Sequence, residues 1–317
     1  MIVKIQNLKP DFEYDFQIPD TGIVGIYGVS GSGKSSLLNA IAGYTDSVKG
    51  RVEFSGDTLF DTNNKQKVRP YQCGYMPQHS LLFPHWTIRE NLDFVEKYNP
   101  NPKIDLKKLL DVLDCHEILD KYPNQISGGE KQRIALIRAL LQTGHQSLLL
   151  LDEPFSALNS ELRKNALNLL KQYKENNLIL FVTHDIVEIY KVTDQLLLVK
   201  DNRILYQSDI ESAFSCGEHN LPVASRVKIN NKEHILFADY VSISLEKIPN
   251  SSITHQLPAE IKSINPYGRD FIVELRTLDN FPQLIRSQLT EKSVAKLKLE
   301  IEKKVLVNFK ATSYNRF

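Results

Sequence analysis

The stretch that decides the fold of this chain is IVGIYGVSGSGKSS, residues 23–36. Its first five residues predict a strand, and the apolar residues that follow position 36 (LLNAIA) predict a helix. The loop between them has the spacing G-x-x-x-x-G-K-S, which in this strand–loop–helix context is typical of a phosphate-binding turn. Glycines allow backbone N–H groups to approach phosphate oxygens, and the helix N-terminus adds positive potential. We therefore predict that this turn binds the phosphates of a nucleotide, rather than being a glycine-rich turn without a ligand.

The side chains of the turn indicate what each would do with a bound nucleotide. Lys34 is expected to reach the β- and γ-phosphates, and the Ser35 hydroxyl is expected to bind Mg²⁺. The expected nucleotide contacts are Gly28, Ser30, Gly31, Gly33, Lys34, Ser35 and Ser36. ATP and Mg²⁺ are therefore the predicted cofactors.

A second group of functional residues follows a strand of leucines. Residues 148–151 (LLLL) predict a strand buried on both faces of a parallel sheet, and the strand ends in Asp152 and Glu153. Ligands and catalytic groups gather at the carboxyl ends of strands in such sheets. We expect Asp152 to hold Mg²⁺ and Glu153 to accept the proton of an attacking water. An acidic strand end beside a turn proline is the alternative.

The composition excludes some classes of protein. With 317 residues the chain is long enough for one large and one small domain, and its net charge of +1 lacks the basic excess that steers proteins to nucleic acid. We therefore expect no nucleic-acid partner. The cysteines, Cys73, Cys115 and Cys216, have no paired spacing, which is typical of reduced cytosolic thiols. The N-terminus lacks a signal-peptide core, and no run reaches the ~20 apolar residues that span a bilayer, so a role at a membrane would need a partner.

The third motif is ISGGEKQR, residues 126–133, at the start of a predicted helix. Ser127 and Glu130 form a capping box, but a capping box needs no Gly-Gly pair, and two glycines at a capped helix N-terminus can bind an anion. The motif resembles the signature L-S-G-G-x-x-Q-R of the ABC ATPase family, with Ile126 as the departure. The resemblance implies that Ser127, Gly128 and Gly129 of one subunit close over the γ-phosphate held by the other, so that a homodimer sandwiches two ATP molecules.

Further segments are similar to landmarks of that family, in the same chain order. Residues 75–78 (YMPQ) are similar to the Q-loop, which implies that Gln78 touches Mg²⁺ or the attacking water and signals to a membrane subunit. Residues 182–185 (VTHD) are similar to the switch motif, in which His184 would hold the γ-phosphate and Glu153 in place. Adenine is expected to stack on Phe12, with Tyr14 as the alternative.

The loop SALN at residues 156–159 is similar to the family's D-loop, which is usually S-A-L-D. Asn159 removes a charge at the expected dimer interface, so communication between the two ATP sites is expected to be altered. We do not expect the replacement to abolish hydrolysis.

Alternating strands and helices from about 145 to 205 predict a parallel α/β sheet. With the resemblance, the fold class is a P-loop ABC ATPase domain with a helical insert, followed by a small OB-like β-barrel. The expected domains are an ATPase domain at 1–215 (helical subdomain about 85–145), a connecting β segment at 216–250 and the β-barrel domain at 251–317.

The C-terminal region and the helical insert indicate the kind of transporter. Residues 80–92 (SLLFPHWTIRENL) are similar to the part of ABC importers that receives a helix of the membrane subunit, with Phe83 and Trp86 as candidate contacts. The segment 253–313 resembles the molybdate/tungstate-binding domain of molybdate importer ATPases, although Asn280 and Glu302 stand where glycines are usual. Lys310 and Thr312 are the candidates for binding the oxyanion.

The resemblance implies an ATPase that drives molybdate or tungstate import from the cytoplasmic face of the inner (plasma) membrane. Its partners would be integral membrane permease subunits and, indirectly, a periplasmic or extracellular solute-binding protein. Two alternatives stay open at this point. One is the same motor for sulfate, thiosulfate, iron or a polyamine, and the other is an ABC ATPase without a transport role.

Overall fold

The computed structural model describes residues 1–8, 11–46, 48–62, 73–98, 105–144, 146–214, 221, 223–230, 232–249, 252–310 and 314–316. The chain forms two compact units, Met1–Ser208 and Asp209–Phe317. The strands of the segment 216–250 belong to the second unit.

A ten-stranded sheet organises the first unit. Its strands are β1 (Ile2–Leu8), β2 (Asp11–Gln17), β3 (Gly22–Tyr27), β4 (Lys49–Phe54), β5 (Asp57–Asp61), β6 (Cys73–Met76), β7 (Leu148–Asp152), β8 (Leu178–Val182), β9 (Gln195–Lys200) and β10 (Arg203–Asp209). The helices are α1 (Lys34–Ile41), α2 (Ile88–Tyr98), α3 (Leu106–Val112), α4 (Gly128–Leu141), α5 (Ser160–Tyr173) and α6 (Ile186–Val192).

The strand order is β5-β4-β1-β2-β10-β9-β3-β8-β7-β6. The strands β9, β3, β8, β7 and β6 pair in parallel, whereas β5, β4, β1 and β2 pair antiparallel. Asp152 at the end of β7 is in register with Val182 at the end of β8, and Val182 is in register with Ile26 of β3. The loops after these three strands therefore meet at one edge of the sheet.

Burial explains why the centre of the sheet is parallel. Every residue of β7 (LLLLD) and of β8 (LILFV) is buried, because helices cover both faces of such a sheet. Helix α1 buries Leu37, Leu38 and Ile41 in the core, each 0 % exposed. The prediction of a P-loop α/β domain is confirmed.

The second unit is built from antiparallel strands. They are β11 (Ala224–Ile229), β12 (Lys232–Phe237), β13 (Ser242–Ser244), β14 (His255–Tyr267), β15 (Asp270–Thr277), β16 (Leu284–Thr290), β17 (Lys304–Phe309) and β18 (Tyr314–Arg316), with helices α7 (Ile210–Ala213) and α8 (Glu291–Leu297). They form one sheet in the order β11-β12-β18 and another in the order β13-β17-β14-β15-β16. The core of this unit includes Ile261, Val273, Leu275, Ile285 and Val307.

Asn280 and Glu302 stand where glycines are usual in the domain that this segment resembles, and Glu302 has a left-handed backbone. Glu302 has a φ of 69°, a conformation that glycine adopts more easily than glutamate. Its backbone N–H nevertheless donates to the carbonyl of Ile261 at 2.8 Å, so the turn before β17 keeps its hydrogen bond.

Candidate active site

The phosphate-binding turn joins β3 to α1, and the surrounding chain requires two of its glycines. A Cβ atom at Gly28 would lie 2.2 Å from the backbone oxygen of Val199, and one at Gly33 would lie 2.3 Å from Oδ1 of Asn202. Gly33 also has a φ of 105°, which favours glycine. The turn therefore fits closely against the end of β9 and the loop that follows it, and a side chain at either glycine would displace the turn.

The predicted nucleotide contacts differ in their exposure. Gly28 and Lys34 are buried, Gly33, Ser35 and Ser36 are half-buried, and Ser30 and Gly31 are exposed. The Lys34 ammonium donates to the carbonyls of Gly28 at 2.8 Å and Val29 at 2.9 Å. Burial lowers the pKa of Lys34, and the nearby carboxylates of Glu153 and Asp152 oppose that shift. The lysine thus lies beneath the turn with one further N–H to offer a phosphate oxygen.

Ser35 and Asp152 lie together and fit a magnesium ion. Asp152 is 2 % exposed, and its burial raises the pKa of its carboxyl group, although a hydrogen bond with Ser35 opposes the shift. A buried carboxylate that is only partly compensated favours a nearby cation. A hydroxyl and a carboxylate are the hard oxygen ligands that Mg²⁺ uses together with substrate phosphates. These two residues would hold the ion.

Glu153 and His184 come from neighbouring loops and face each other. The Nδ1 atom of His184 lies 3.3 Å from Oε1 of Glu153. Glu153 has a φ of 50°, and its backbone N–H donates to the carbonyl of Val182 at 2.9 Å. A left-handed glutamate at a strand end is strained, and such strain concentrates at functional sites. Glu153, which is predicted to accept the proton of the attacking water, therefore lies beside His184, which is predicted to hold Glu153 in place.

Arg163, on α5, is a charged residue of this site that the sequence did not indicate. Its guanidinium lies 3.4 Å from carboxylate oxygens of both Asp185 and Glu188, and it donates to the carbonyl of Phe155 at 3.3 Å. Glu188 is 5 % exposed and accepts from the Thr183 hydroxyl at 2.7 Å. Burial raises the pKa of Glu188, while Thr183 and Arg163 oppose the shift. Arg163 thus ties the loop after Glu153 to the loop that carries His184.

Asn159, the departure in the D-loop, has a clear local role. It is the N-cap of α5, and its Oδ1 accepts from the backbone N–H of Leu162 at 2.9 Å. Asparagine and aspartate cap helices about equally well, so the start of α5 is preserved.

The signature loop is a capped helix terminus, as the capping box predicts. The Ser127 hydroxyl accepts from the N–H of Glu130, and the Glu130 carboxylate accepts from the N–H of Ser127 at 2.7 Å. Ser127 and Gly128 are exposed, and Gly129 is half-buried. Gln78 is also exposed, two residues after the end of β6. These residues are therefore accessible to a second molecule.

The structure corrects the expectation for adenine. Phe12 and Tyr14 are 2 % and 0 % exposed, and their rings stack on each other at 5.3 Å in the core of the first unit. The Tyr14 hydroxyl donates to the carbonyl of Gly33 at 2.8 Å. The alternating burial of β2 turns both side chains inward. Neither ring is available to a nucleotide, and Tyr14 supports the phosphate-binding turn from below.

The segment before α2 and α2 itself present an aromatic cluster, which we define as Phe83, Trp86, Phe94 and Tyr98. The ring centroids of Phe83 and Trp86 are 4.6 Å apart, and those of Trp86 and Phe94 are 5.2 Å apart. Phe83, Phe94 and Tyr98 are 37 %, 38 % and 66 % exposed. The cluster is therefore an accessible apolar surface on the helical insert.

Two polar side chains, one buried and one half-buried, hold the segment before α2 that carries Phe83 and Trp86. Asn91, 0 % exposed, accepts from the N–H of Phe83 at 2.8 Å and donates to the carbonyl of Thr87 at 2.9 Å. The Arg138 guanidinium donates to the carbonyls of Leu81 at 2.6 Å and Ser80 at 3.1 Å. Because Arg138 lies on α4, the segment is fixed to the helix that begins at the signature loop.

Other predicted residues are not placed in a site. Lys310 is exposed, and Thr312 and Cys216 lie outside the described residues, so oxyanion binding stays a prediction. Cys73 and Cys115 are free and buried. The described part of the chain contains no helix with the length and hydropathy of a membrane span.

A phosphate-binding turn, a strand that ends in Asp-Glu and a histidine after the neighbouring strand define a P-loop ATPase. Comparison with known proteins specifies the family. The family model for the ABC transporter matches residues 13–156, and the model for the TOBE domain matches residues 251–314. The chain belongs to the ABC transporter family, as an ATP-hydrolysing subunit with a C-terminal TOBE domain.

The relatives are import ATP-binding proteins. The chain is 30 % identical to the sulfate/thiosulfate import ATP-binding protein CysA of Pseudomonas aeruginosa, over 92 % of each chain. It is also 30 % identical to the molybdenum import ATP-binding protein ModC of Vibrio vulnificus, over 92 % of this chain and 80 % of the relative. Among solved structures, a dimeric bacterial ABC transporter cassette is 26 % identical and superimposes with a TM-score of 0.55, over 62 % of this chain and 89 % of the cassette.

Proposed function

We propose that this chain couples ATP binding and hydrolysis to the uptake of molybdate or tungstate through a separate membrane permease. The observation that carries the motor function is the pairing of Glu153 with His184 beside the Ser35–Asp152 pair and Lys34. The molybdate assignment is supported by the TOBE domain and by relatives named for molybdenum import, one of which matches 92 % of this chain.

The proposed mechanism follows from these contacts. Lys34 binds the β- and γ-phosphates and balances their charge, and the backbone N–H groups of the turn do the same from above. Mg²⁺, held by Ser35 and Asp152, would neutralise charge that develops on the transferred phosphoryl group. Glu153 accepts a proton from the attacking water, and His184 holds the Glu153 carboxylate in position. Gln78, at the same sheet edge, would sense the ion or the water.

We propose that the working unit is a homodimer. Ser127 and Gly128 are exposed at a helix N-terminus, where backbone N–H groups and the helix dipole favour a phosphate group of a partner subunit. The solved cassette that the chain resembles is dimeric. In this arrangement each ATP lies between the phosphate-binding turn of one subunit and the signature loop of the other.

The proposed permease contact is the aromatic cluster. Aromatic side chains at an exposed apolar surface are typical anchors for a partner helix. Arg138 lies on α4 and holds the segment that carries Phe83 and Trp86. A force applied to the aromatic cluster would therefore be passed to the signature loop at the start of α4. This contact would place the subunit at the cytoplasmic face of the membrane, with a solute-binding protein acting from the other side.

Trp86→Ala tests the permease contact. We expect the stimulation of hydrolysis by the reconstituted permease to fall about 10-fold or more, because loss of a buried aromatic anchor costs about 2 kcal/mol or more of binding free energy. Hydrolysis by the isolated subunit should stay within about two-fold of the wild type. Leu205→Ala is the matched control, because Leu205 is an apolar residue that is 61 % exposed on β10. Equal stimulation of the Trp86→Ala and Leu205→Ala proteins would remove the cluster from this role.

The solute is tested in proteoliposomes that contain the permease with this subunit on the ATP side. We expect ATP-dependent uptake of radiolabelled molybdate or tungstate, but not of sulfate. Uptake of sulfate or thiosulfate alone would favour the second candidate, which the full-length similarity to the sulfate/thiosulfate protein supports. Calorimetric titration of the subunit with molybdate, tungstate, sulfate and phosphate tests separately whether the chain binds an oxyanion selectively.

A further inference from the structure

Gln132, on the first turns of α4, connects the signature loop to the loop that follows β7, residues 153–157, in the same chain. Its side-chain N–H groups donate to the carbonyl of Glu153 at 2.8 Å and to the hydroxyl of Ser156 at 2.8 Å. Its side-chain oxygen accepts from the backbone N–H of Ala157 at 2.8 Å. Both ends of one amide are therefore used on the five-residue loop, residues 153–157, that begins with the proposed general base.

A second contact between the same two segments is independent of this amide. The backbone of Gly129 approaches the loop so closely that a Cβ atom there would lie 3.0 Å from the carbonyl oxygen of Ala157. The signature loop and the loop after Glu153 thus touch at two points, one polar and one steric. Motion of the α4 N-terminus relative to this loop would break three hydrogen bonds or force a clash.

We propose that Gln132 is a positioning residue that transmits the position of the signature loop to Glu153 within one subunit. In the proposed homodimer, the signature loop of a chain contacts one ATP while its Glu153 serves the other. Closure of the signature loop on the first ATP would, through Gln132, place the Glu153 carboxylate for the second. This inference deepens the proposed function and rests on it, because only the dimer gives one chain two ATP contacts.

The local geometry explains why Glu153 needs such support. Its φ of 50° is a left-handed conformation that a glutamate adopts at a cost. The Glu153 carbonyl accepts from Gln132 and, at 3.2 Å, from the Ser156 hydroxyl. These bonds fix the peptide that follows Glu153, and they fix the side-chain direction with it. Displacement of a reacting group by about 1 Å can cost about 10²-fold in rate.

Gln132→Glu is the informative substitution, because it preserves size and the acceptor for Ala157 but removes both donors. It also places a carboxylate against the carbonyl of Glu153. We expect kcat for ATP hydrolysis to fall about 10- to 100-fold, with KM for ATP within about three-fold of the wild type. The control is Gln172→Glu, the same change at an exposed position of α5 whose side chain contacts Lys108 at 3.4 Å. It should leave kcat unchanged.

A second measurement separates positioning from a purely structural role. The Gln132→Glu change is added to Glu153→Gln, and ATP-driven dimerisation and the thermal midpoint are measured for both proteins. Positioning predicts equal ATP-driven dimerisation, because the capped signature loop is intact, and a thermal midpoint lowered only by the loss of the two hydrogen bonds that Gln132 donates. A wild-type kcat in Gln132→Glu, or a joint loss of dimerisation and thermal stability, would overturn the inference.

The same data distinguish this inference from the proposed homodimer. If Glu153→Gln alone stays monomeric in saturating Mg-ATP, the dimer is overturned and the transmission between two ATP sites with it. If Glu153→Gln dimerises and Gln132→Glu still hydrolyses at the wild-type rate, the dimer stands and the role of Gln132 is rejected.

Discussion

Glu153→Gln is expected to bind ATP as the wild type does and to hydrolyse it about 10²–10⁴-fold more slowly, the usual contribution of a general base. The amide keeps the size of the side chain and can still contact His184, but it cannot take a proton from water. Steady-state phosphate release measures the rate, and equilibrium binding of labelled ATP measures affinity. Because the ATP-bound form should accumulate, size-exclusion chromatography in Mg-ATP should also show dimers.

The control for this change is Glu175→Gln, since Glu175 is an exposed carboxylate of the same unit. Its turnover should equal that of the wild type. Unchanged turnover in Glu153→Gln would remove Glu153 from its role. A mutant that also fails to bind ATP would indicate a disturbed phosphate-binding turn instead of a lost base.

Arg163→Met is expected to destabilise the first unit by about 2–3 kcal/mol at pH 7.5. Removing one partner of a buried ion pair costs ~3–5 kcal/mol, and the smaller value here reflects the Arg163 side chain, which is 33 % exposed. The loss arises because Glu188, with a side chain 7 % exposed, keeps its charge without the guanidinium. Denaturant unfolding followed by fluorescence measures the difference. Hydrolysis should fall as well, because Arg163 links the loops of Glu153 and His184.

The pH dependence of this loss has a definite sign. Burial raises the pKa of Glu188 above its value in the unfolded chain, and Arg163 opposes that shift. Removing Arg163 therefore raises the Glu188 pKa further. The cost of burying the carboxylate is absent below the unfolded pKa, where Glu188 is protonated in both states, and grows as the pH rises toward the folded pKa. The difference in stability between Arg163→Met and wild type should thus be small near pH 4.5 and should grow as the pH rises through the raised folded pKa of Glu188.

One further variant checks this explanation. Adding Glu188→Gln to Arg163→Met should remove most of the pH dependence, because the titrating carboxylate is gone. Asp185 loses its contact with Arg163 in both Arg163 variants, so only the part of the pH dependence that Glu188→Gln removes is assigned to the Arg163–Glu188 pair. A stability loss that is equal at pH 4.5 and pH 8 would show that Arg163 acts through its carbonyl contacts and not through Glu188.

Much of the site could be predicted from the sequence because its elements are local. The phosphate-binding turn, the acids after β7 and the histidine after β8 each occupy a short segment with a recognisable pattern. The carboxyl ends of parallel strands meet at one edge, so the predicted sheet already implied that Glu153 and His184 would be close. The 3.3 Å distance between them agrees with that expectation.

The expectation for adenine was wrong because it rested on position in the chain and not on burial. Phe12 and Tyr14 share one face of β2 and alternate with charged residues, a pattern that favours burial of both rings. Once β2 is placed in the sheet, the inward face buries both rings, and the Tyr14 hydroxyl bonds to the turn at Gly33.

The sequence by itself determined the fold class, and it predicts the phosphate-binding turn and the roles proposed for Lys34, Asp152 and Glu153, because these depend on residue type and spacing within one segment. Only the tertiary structure decided that Arg163 supports the loop that carries His184, and that Gln132 is hydrogen-bonded to residues 153–157. These contacts join α5 to the start of α6, and α4 to the end of β7. Hydrogen bonds and ion pairs act over a few ångströms, so residues 20 or more positions apart can interact only after packing has brought their elements together.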